Sequence, residues 1–392
     1  AHRSRELMPE QQPAWHRTAP PQRRVFVAGQ GAVTGFGIGF HRLADAVFAG
    51  ERAVRPRERT AAFAVPTAVA AEFPAEVLGA LGPAADLPFA AACRAAQEAM
   101  ADAGHPDPGS IGLVLASTKA DLSGVVGSGT GLGLPSRLAH RVVKALGLRG
   151  VVAAVSCACA SGLVALALAA RRIGNGEHER ILVIGVDVLS EFVLAGFGGL
   201  HALDPMPCRP FDQHRQGVSL GDGAGALLLT ARARDSIGAV LTGLGGANDA
   251  CHVTRPDRRG EGLMLAARRA LAGAGIGPAD VDVIHLHGTG TVANDATEAL
   301  GLTCLFGGGT PPAFGTKSQT GHTLGAAGVL ETALAVEVLR RAIAPANVGL
   351  EQPDVDPGLD LVRTKRGLAR ARRVLKVASG FGGMQAAMVI EA

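Results

Sequence analysis

Residues 151–170, Val-Val-Ala-Ala-Val-Ser-Cys-Ala-Cys-Ala-Ser-Gly-Leu-Val-Ala-Leu-Ala-Leu-Ala-Ala, leave the chain few ways to fold. Val151 to Val155 are short, apolar and partly β-branched, which predicts a strand covered on both faces. From Ala160 the run is rich in Ala and Leu and closes on Arg171 and Arg172 before Gly174, the signature of a helix C-terminus. A buried strand therefore runs into a buried helix, with Cys159 at the turn. There the thiol faces the positive end of the helix dipole and the free N–H groups of its first turn, both of which favour a thiolate nucleophile. Cys157, its neighbour, reads as a small core residue. Ser156, Ser161 and Gly162 interrupt the apolar run and no second segment supports a membrane topology, so a membrane span is not expected.

The same design recurs. Phe314 to Glu331 is a short strand, a glycine-containing turn and an Ala/Gly/Leu helix that ends in Arg340 and Arg341, mirroring Val151 to Arg172. The strand and glycine turn at Val25 to Thr34 likewise return at Ile237 to Ala247. An internal duplication of a strand/helix unit follows, with a boundary near 231–237: a first half over 24–235 and a second over 236–392. Corresponding turns of the halves would face one pocket and bring Cys159 to His322. Residues 1–23, rich in Pro, Arg, Gln and Glu without periodicity, read as a disordered tail.

Between these units lie helices near His41 to Phe48, Pro88 to Ala103 and Ser136 to Leu146, and strands at Ile111 to Ala116, Ile181 to Asp187 and Gly223 to Thr230. The Gly29-x-Gly31 turn lacks the third glycine of a dinucleotide fingerprint, so a structural turn is the better reading. The glycine-dense stretch 121–135 is either a loop or a mobile pocket wall. Hydrophobic residues make up 47% of the 392 and charged residues 18%, which describes a globular α/β protein with large buried elements. The net charge of +4, with no Lys/Arg block interleaved with aromatics, argues against nucleic acid as a partner. Six cysteines without zinc-type spacing predict neither a metal site nor a disulfide framework, and a reducing cytoplasm is the expected setting.

Val281 to Thr291 alternates as a strand that ends at His287, followed by a turn of two glycines and two threonines. Asp295 and Glu298 follow at helical i, i+3 spacing. His287 and His322 each sit at a glycine-rich turn of the second half, whereas His252 and His285 read as structural.

Together these residues resemble the β-ketoacyl-acyl-carrier-protein synthases of the I/II type, condensing enzymes of the thiolase fold, over residues 24–392. Cys159 in Cys-Ala-Cys-Ala-Ser-Gly resembles the acylated cysteine. His287-Gly-Thr-Gly-Thr291 with Asp295 and Glu298 resembles the first histidine block, and Lys317-Ser-Gln-Thr-Gly-His322 the second. Cys208-Arg-Pro-Phe-Asp212, Arg215, Gly221-Asp-Gly-Ala-Gly225 and Gly380-Phe-Gly-Gly383 complete the family's order.

The resemblance implies two duplicated halves layered α/β/α/β/α. It also implies an acyl group carried on Cys159, an oxyanion held by the N–H groups of Cys159 and Phe381, and an enolate stabilised by His287 and His322. Lys317 is expected to organise Asp295, Glu298 and Glu331 into a buried charge network. Thr254, Thr289 and Thr291 would form a malonyl-binding floor, and Phe381 a gate. No cofactor beyond the phosphopantetheine of an acyl-carrier protein is implied. The expected assembly is a homodimer or a heterodimer with a chain-length-factor-like subunit. A fatty-acid or polyketide system, possibly of polyenes, is the implied setting. A non-catalytic scaffolding partner and a degradative thiolase are the alternatives; the thiolase wants a second cysteine near the C-terminus, and none follows Cys304. Val218 stands where a large apolar residue is common, Met384-Gln385 replaces the usual Thr-Asn, and the chain between Ile111 and Cys159 is short. All three departures bear on acyl length and shape.

Overall fold

The computed structural model describes residues 23–82, 86–120, 122 and 133–392. The expected tail up to residue 22 and most of the stretch 121–135 lie outside the described residues. Ten principal strands carry the fold: β1 (Val25–Thr34), β2 (Ile111–Ala116), β3 (Gly150–Val155), β4 (Arg180–Asp187), β5 (Gly223–Thr230), β6 (Ala239–Asn248), β7 (Val283–His285), β8 (Ala313–Phe314), β9 (Arg373–Gly380) and β10 (Met384–Glu391). Along the sheet their order is β8-β7-β9-β10-β6-β1-β5-β4-β2-β3. Adding five to each strand of the path β1-β5-β4-β2-β3 gives β6-β10-β9-β7-β8, so the two halves have one topology.

Pairing direction repeats as well. In the first half β2 is parallel to β3 and β4, and β5 is antiparallel to β4 and β1. In the second half β7 is parallel to β8 and β9, and β10 is antiparallel to β9 and β6. The halves meet where β1 and β6 pair antiparallel through Val25 to Val27.

Helices cover the strands in three layers. Against one outer face pack α2 (Leu87–Asp102) and α3 (Pro135–Leu146), through Ala92, Ala96, Leu138 and Val142. Against the other pack α6 (Glu261–Ala274) and α7 (Val292–Leu305), through Leu263, Ala267, Leu302 and Leu305. Between the two sets of strands lie α4 (Ser161–Gly174) and α8 (Ala327–Arg341), whose Leu163, Leu166, Leu330 and Leu334 join the central core. At roughly 2 kcal/mol for each such side chain, this inner layer is a main source of cohesion. The result is the expected α/β/α/β/α layering. Among the described residues no helix is long and apolar enough to cross a membrane.

Small residues decide how closely α4 and α8 approach. A Cβ on Gly162 would stand 2.9 Å from Gly325 O and Val329 N, and one on Gly328 would collide with Leu163 N. Only glycine permits this spacing, and the spacing sets the distance between the turns that precede the two helices.

Two elements differ from expectation. Among the described residues β3 pairs only with β2, at the edge of the sheet, and Gly150 to Ala154 are half-buried or exposed rather than covered on both faces. The strand expected over 281–287 is three residues long, because Gly288 and Gly290 turn the chain at φ 49° and 84°.

Gly328→Val should lower stability by about 3 kcal/mol, read from denaturant midpoints, or prevent folding outright. A stability unchanged within error would mean that the α4/α8 contact relaxes freely.

Candidate active site

The nucleophile turn is strained and clamped. Ala158 takes φ 48°, a left-handed value that an alanine adopts at a cost of about 1 kcal/mol or more. Ser161 at the start of α4 holds it there: its Oγ accepts from Cys157 N at 2.8 Å and donates to Ala158 O at 2.5 Å. Cys159 is thereby delivered buried into a cavity of about 290 Å³. Cys159 shares a buried apolar cluster with Leu189, Val193, Leu194, Leu203 and Val218, and Val218, Phe197 and Leu200 line the cavity beside it as an apolar wall suited to an alkyl chain.

Both second-half histidines reach the same cavity. His287, after β7, and His322, after β8, stand edge to face with ring centroids 5.5 Å apart at 87°. His287 Nδ1 and both ring nitrogens of His322 are buried without a hydrogen-bond partner. Unpaired polar atoms of this kind are costly unless something binds there. Thr254, Thr289, Thr291 and Phe381 also line the cavity. The Thr289 and Thr291 hydroxyls lie 2.9 Å apart, while Thr254 Oγ1 lies 3.4 Å from His252 Nδ1.

Phe381 stacks on Phe197 at 5.7 Å and is followed by Gly382 and Gly383, both at positive φ. The preceding Gly380 abuts the nucleophile turn: a Cβ there would lie 3.3 Å from Cys159 N. The backbone that carries Phe381 therefore lies directly against the backbone of Cys159.

The charge network differs from the one expected. Lys317 Nζ, fully buried, pairs with Glu331 and donates to His287 O, both at 2.5 Å, but makes no hydrogen bond to Asp295 or Glu298. Those carboxylates brace backbone instead. Glu298 accepts from the N–H groups of His287 and Gly288, and Asp295 from those of Phe211, Thr289 and Gly290. The 287–290 turn leaves strand geometry, so its N–H groups need acceptors, and α7 presents both carboxylates on its first turns. The second cation on Glu331 is Lys376 of β9, at 2.7 Å from Oε2. Sequence reasoning missed it; its one signal is a lysine inside the apolar run Val374-Leu-Lys-Val-Ala378. His285 packs on Phe314 at 4.3 Å outside the cavity lining, and His252 is exposed.

Protonation also departs from expectation. Burial pushes the Cys159 thiol up to about 12; Lys317 opposes this, and Asp187 and Glu331 add to it. The helix N-terminus alone does not make a resting thiolate, because the sulfur is cut off from water. Burial, reinforced by Lys317 and Lys376, holds His285, His287 and His322 well below the usual histidine range, so all three rings are neutral at pH 7. The cavity thus joins a thiol, two neutral imidazoles and an apolar wall within a duplicated α/β frame. That combination defines a thiol-dependent condensing enzyme of the thiolase fold.

Comparison with known proteins agrees. The family models described as β-ketoacyl synthase N-terminal and C-terminal domains match residues 22–234 and 238–351. The chain is 31% identical to 3-oxoacyl-[acyl-carrier-protein] synthase 2 of Coxiella burnetii, over 94% of this chain and 98% of that one. The ishigamide ketosynthase/chain length factor superposes with a TM-score of 0.85 at 29% identity, over 95% of this chain and 99% of that one. A type II polyketide synthase ketosynthase, solved with its acyl-carrier protein and bound to the hexaketide, gives 0.83 at 26% identity over 95% and 100%. The chain belongs to the β-ketoacyl synthase family and is an acyltransferase-class condensing enzyme.

Two measurements follow from the protonation pattern. Below a pH of about 6.5 the unfolded chain protonates three imidazoles that the folded chain keeps neutral. Glu298, pushed up to about 7 by burial, binds one proton in the folded state and opposes them. Asp222 and Asp295, also raised by burial, oppose them as well, whereas His178, held low by burial, adds to them. With the buried imidazoles setting the sign, stability should fall as the pH drops from about 6 toward 5, read from denaturant midpoints. A flat profile would mean charged rings in the folded protein. Alkylation of Cys159 by iodoacetamide, followed by peptide mass, should keep rising beyond a pH of about 9 without a plateau. A plateau near neutral pH would show a resting thiolate.

Proposed function

We propose that this chain is an elongating ketosynthase of a dissociated type II system, taking acyl and malonyl groups from acyl-carrier proteins. The observation that carries this reading is the set of unpartnered buried ring nitrogens on His287 and His322, in one cavity with a buried thiol. Neutral imidazoles serve as N–H donors to a carbonyl oxygen that gains charge, whereas imidazoliums in so dry a site would carry a large desolvation cost.

In the first half-reaction Cys159 Sγ attacks the acyl thioester, its proton passes by way of a neutral imidazole to the departing carrier sulfur, and the carrier leaves as a thiol with the imidazole neutral again. The N–H groups of Cys159 and Phe381 hold the tetrahedral oxyanion, and the alkyl chain runs along the wall that contains Val218. In the second, the malonyl thioester oxygen accepts from His287 and His322. The bond to the carboxylate breaks, carbon dioxide leaves, and the enolate carbon attacks the acyl-Cys159 carbonyl. Collapse expels Cys159 as a thiolate, which takes up a proton from solvent to regain its resting form, and releases a β-ketoacyl chain two carbons longer. Thr254, Thr289 and Thr291 bind the malonyl carboxylate before it is lost, and Phe381 swings on Gly382 and Gly383 as the gate between the two steps. Phosphopantetheine arrives on the carrier, and no resident cofactor is invoked.

Similarity to the type II polyketide synthase ketosynthase favours a polyketide pathway over housekeeping fatty-acid synthesis, as does the small Val218 in the cavity lining. The half-exposed edge strand β3, with free backbone groups along one side, favours dimerisation by strand pairing, with a second copy or a chain-length-factor-like subunit. Retention of Cys159, His287 and His322 together weighs against a purely scaffolding role.

Intact-mass spectrometry tests the reading. Wild-type protein mixed with acyl-carrier proteins bearing saturated or polyunsaturated chains should gain one acyl mass, and Cys159→Ala none. Adding malonyl-carrier protein should move that mass to a β-ketoacyl carrier product. His322→Ala should acylate but lose about 10²- to 10³-fold in condensation. Failure of the wild type to acylate, alone and with a co-expressed partner subunit, would overturn the proposal.

A further inference from the structure

Glu331 is where two buried cations meet. Lys317 Nζ lies 2.5 Å from one carboxylate oxygen and Lys376 Nζ 2.7 Å from the other, and both lysine side chains are 0% exposed. Each lysine also holds backbone. Lys317 donates to His287 O at 2.5 Å, and Lys376 to Leu286 O at 3.1 Å and Val377 O at 2.7 Å. Leu286 O and His287 O belong to the two peptide groups that flank the His287 Cα. Two lysines from separate elements therefore grip both sides of one cavity histidine, while Glu298 takes the N–H groups of His287 and Gly288.

Packing does not explain Lys376. Its neighbours on β9, Val374, Leu375 and Val377, are fully buried, and an apolar side chain of similar length would fill the site without a buried charge. Replacing buried ions by apolar residues is commonly neutral or stabilising, so a lysine kept here is better explained by what its charge does. The two ammonium groups that meet on Glu331 both act on His287 and disfavour its charged form.

We propose that Lys376 is a positioning residue for His287: with Lys317 it fixes both peptide groups of that histidine, and its charge strengthens the neutral imidazole as an N–H donor to the enolate oxygen. The inference rests on the ketosynthase reading above. The charged and titratable groups that face Lys376 are Glu331 on α8, Lys317 in the turn after β8, Glu298 on α7, and His285, His287 and His322. Burial lowers Lys376 to about 8, against the pull of Glu331. A group lowered in this way is charged below that pH and neutral above it. The support it gives His287 is therefore present at neutral pH and lost on the alkaline side.

The test is the pH dependence of kcat and KM for condensation in wild type, Lys376→Met and Lys376→Gln, between about pH 6 and 9.5. Wild-type kcat should fall above a pH of about 8. Lys376→Met should lose about tenfold or more in kcat at pH 7, change the malonyl-carrier KM by less than about twofold, and lack the alkaline limb. A Lys376→Met enzyme that keeps the wild-type limb overturns the proposal, whatever its rate. If neither variant folds, the wild-type profile decides: a fall near pH 8 supports the assignment, and a profile without one overturns it. Wild-type protein that condenses at no pH would instead count against the ketosynthase reading.

Discussion

The contact between α4 and α8 is what the rest of the molecule depends on. Each helix follows the third strand of its half, and each begins beside a turn that carries a reactive side chain, Cys159 in one case and His322 in the other. Gly162 and Gly328 let the two helix backbones touch, so the turns before them open into one cavity. Two sets of strands of identical topology, joined through β1 and β6, bury this pair between them, and the pseudo-symmetry of the frame becomes the geometry of the site. Larger side chains at the contact would separate the nucleophile from the histidines before any catalytic residue had changed.

Around that contact the protein buries more charge than a stability argument favours. Glu331, Lys317 and Lys376 lie in the interior, and Asp295 and Glu298 are as deeply buried on the other side of the His287 turn. The carboxylates take the N–H groups of residues 287–290, and the lysines take the carbonyls of Leu286 and His287. A glycine-rich turn with few hydrogen bonds of its own is thereby held from both sides. The same buried cations bias the imidazoles toward neutrality, which links the rigidity of the turn to the protonation that enolate stabilisation requires.

Cys159 shows how burial and local dipole compete. The start of α4 is the kind of place where a thiol is expected to ionise, yet loss of water outweighs the pull of Lys317 and the sulfur stays protonated at rest. Under the proposed mechanism the thiol loses its proton only as it attacks, to a neighbouring imidazole. A resting thiol of this kind is also less open to adventitious oxidation than a free thiolate would be.

Much of this was legible in the chain. Apolar runs ending in glycine, and paired arginines closing two similar helices, indicated a duplicated α/β unit whose Cys159 and His322 turns face one pocket, and the family resemblance added His287 to them. Such features are local, because strand and helix period and turn chemistry act over a few residues. What the sequence did not reveal depends on partners far apart in the chain. Val151 to Val155 read as a covered strand but lies at the sheet edge, since exposure depends on strand order. Asp295 and Glu298 read as partners of Lys317 but bond to backbone, because the 287–290 turn presents N–H groups where the lysine does not reach. Lys376 drew no reading from the sequence, and only the packing of β9 against α8 sets its ammonium on Glu331. The sequence by itself determined the elements and the reactive residues; tertiary structure decided which charges meet and which groups lose water, because desolvation and ion pairing depend on what surrounds a group in space.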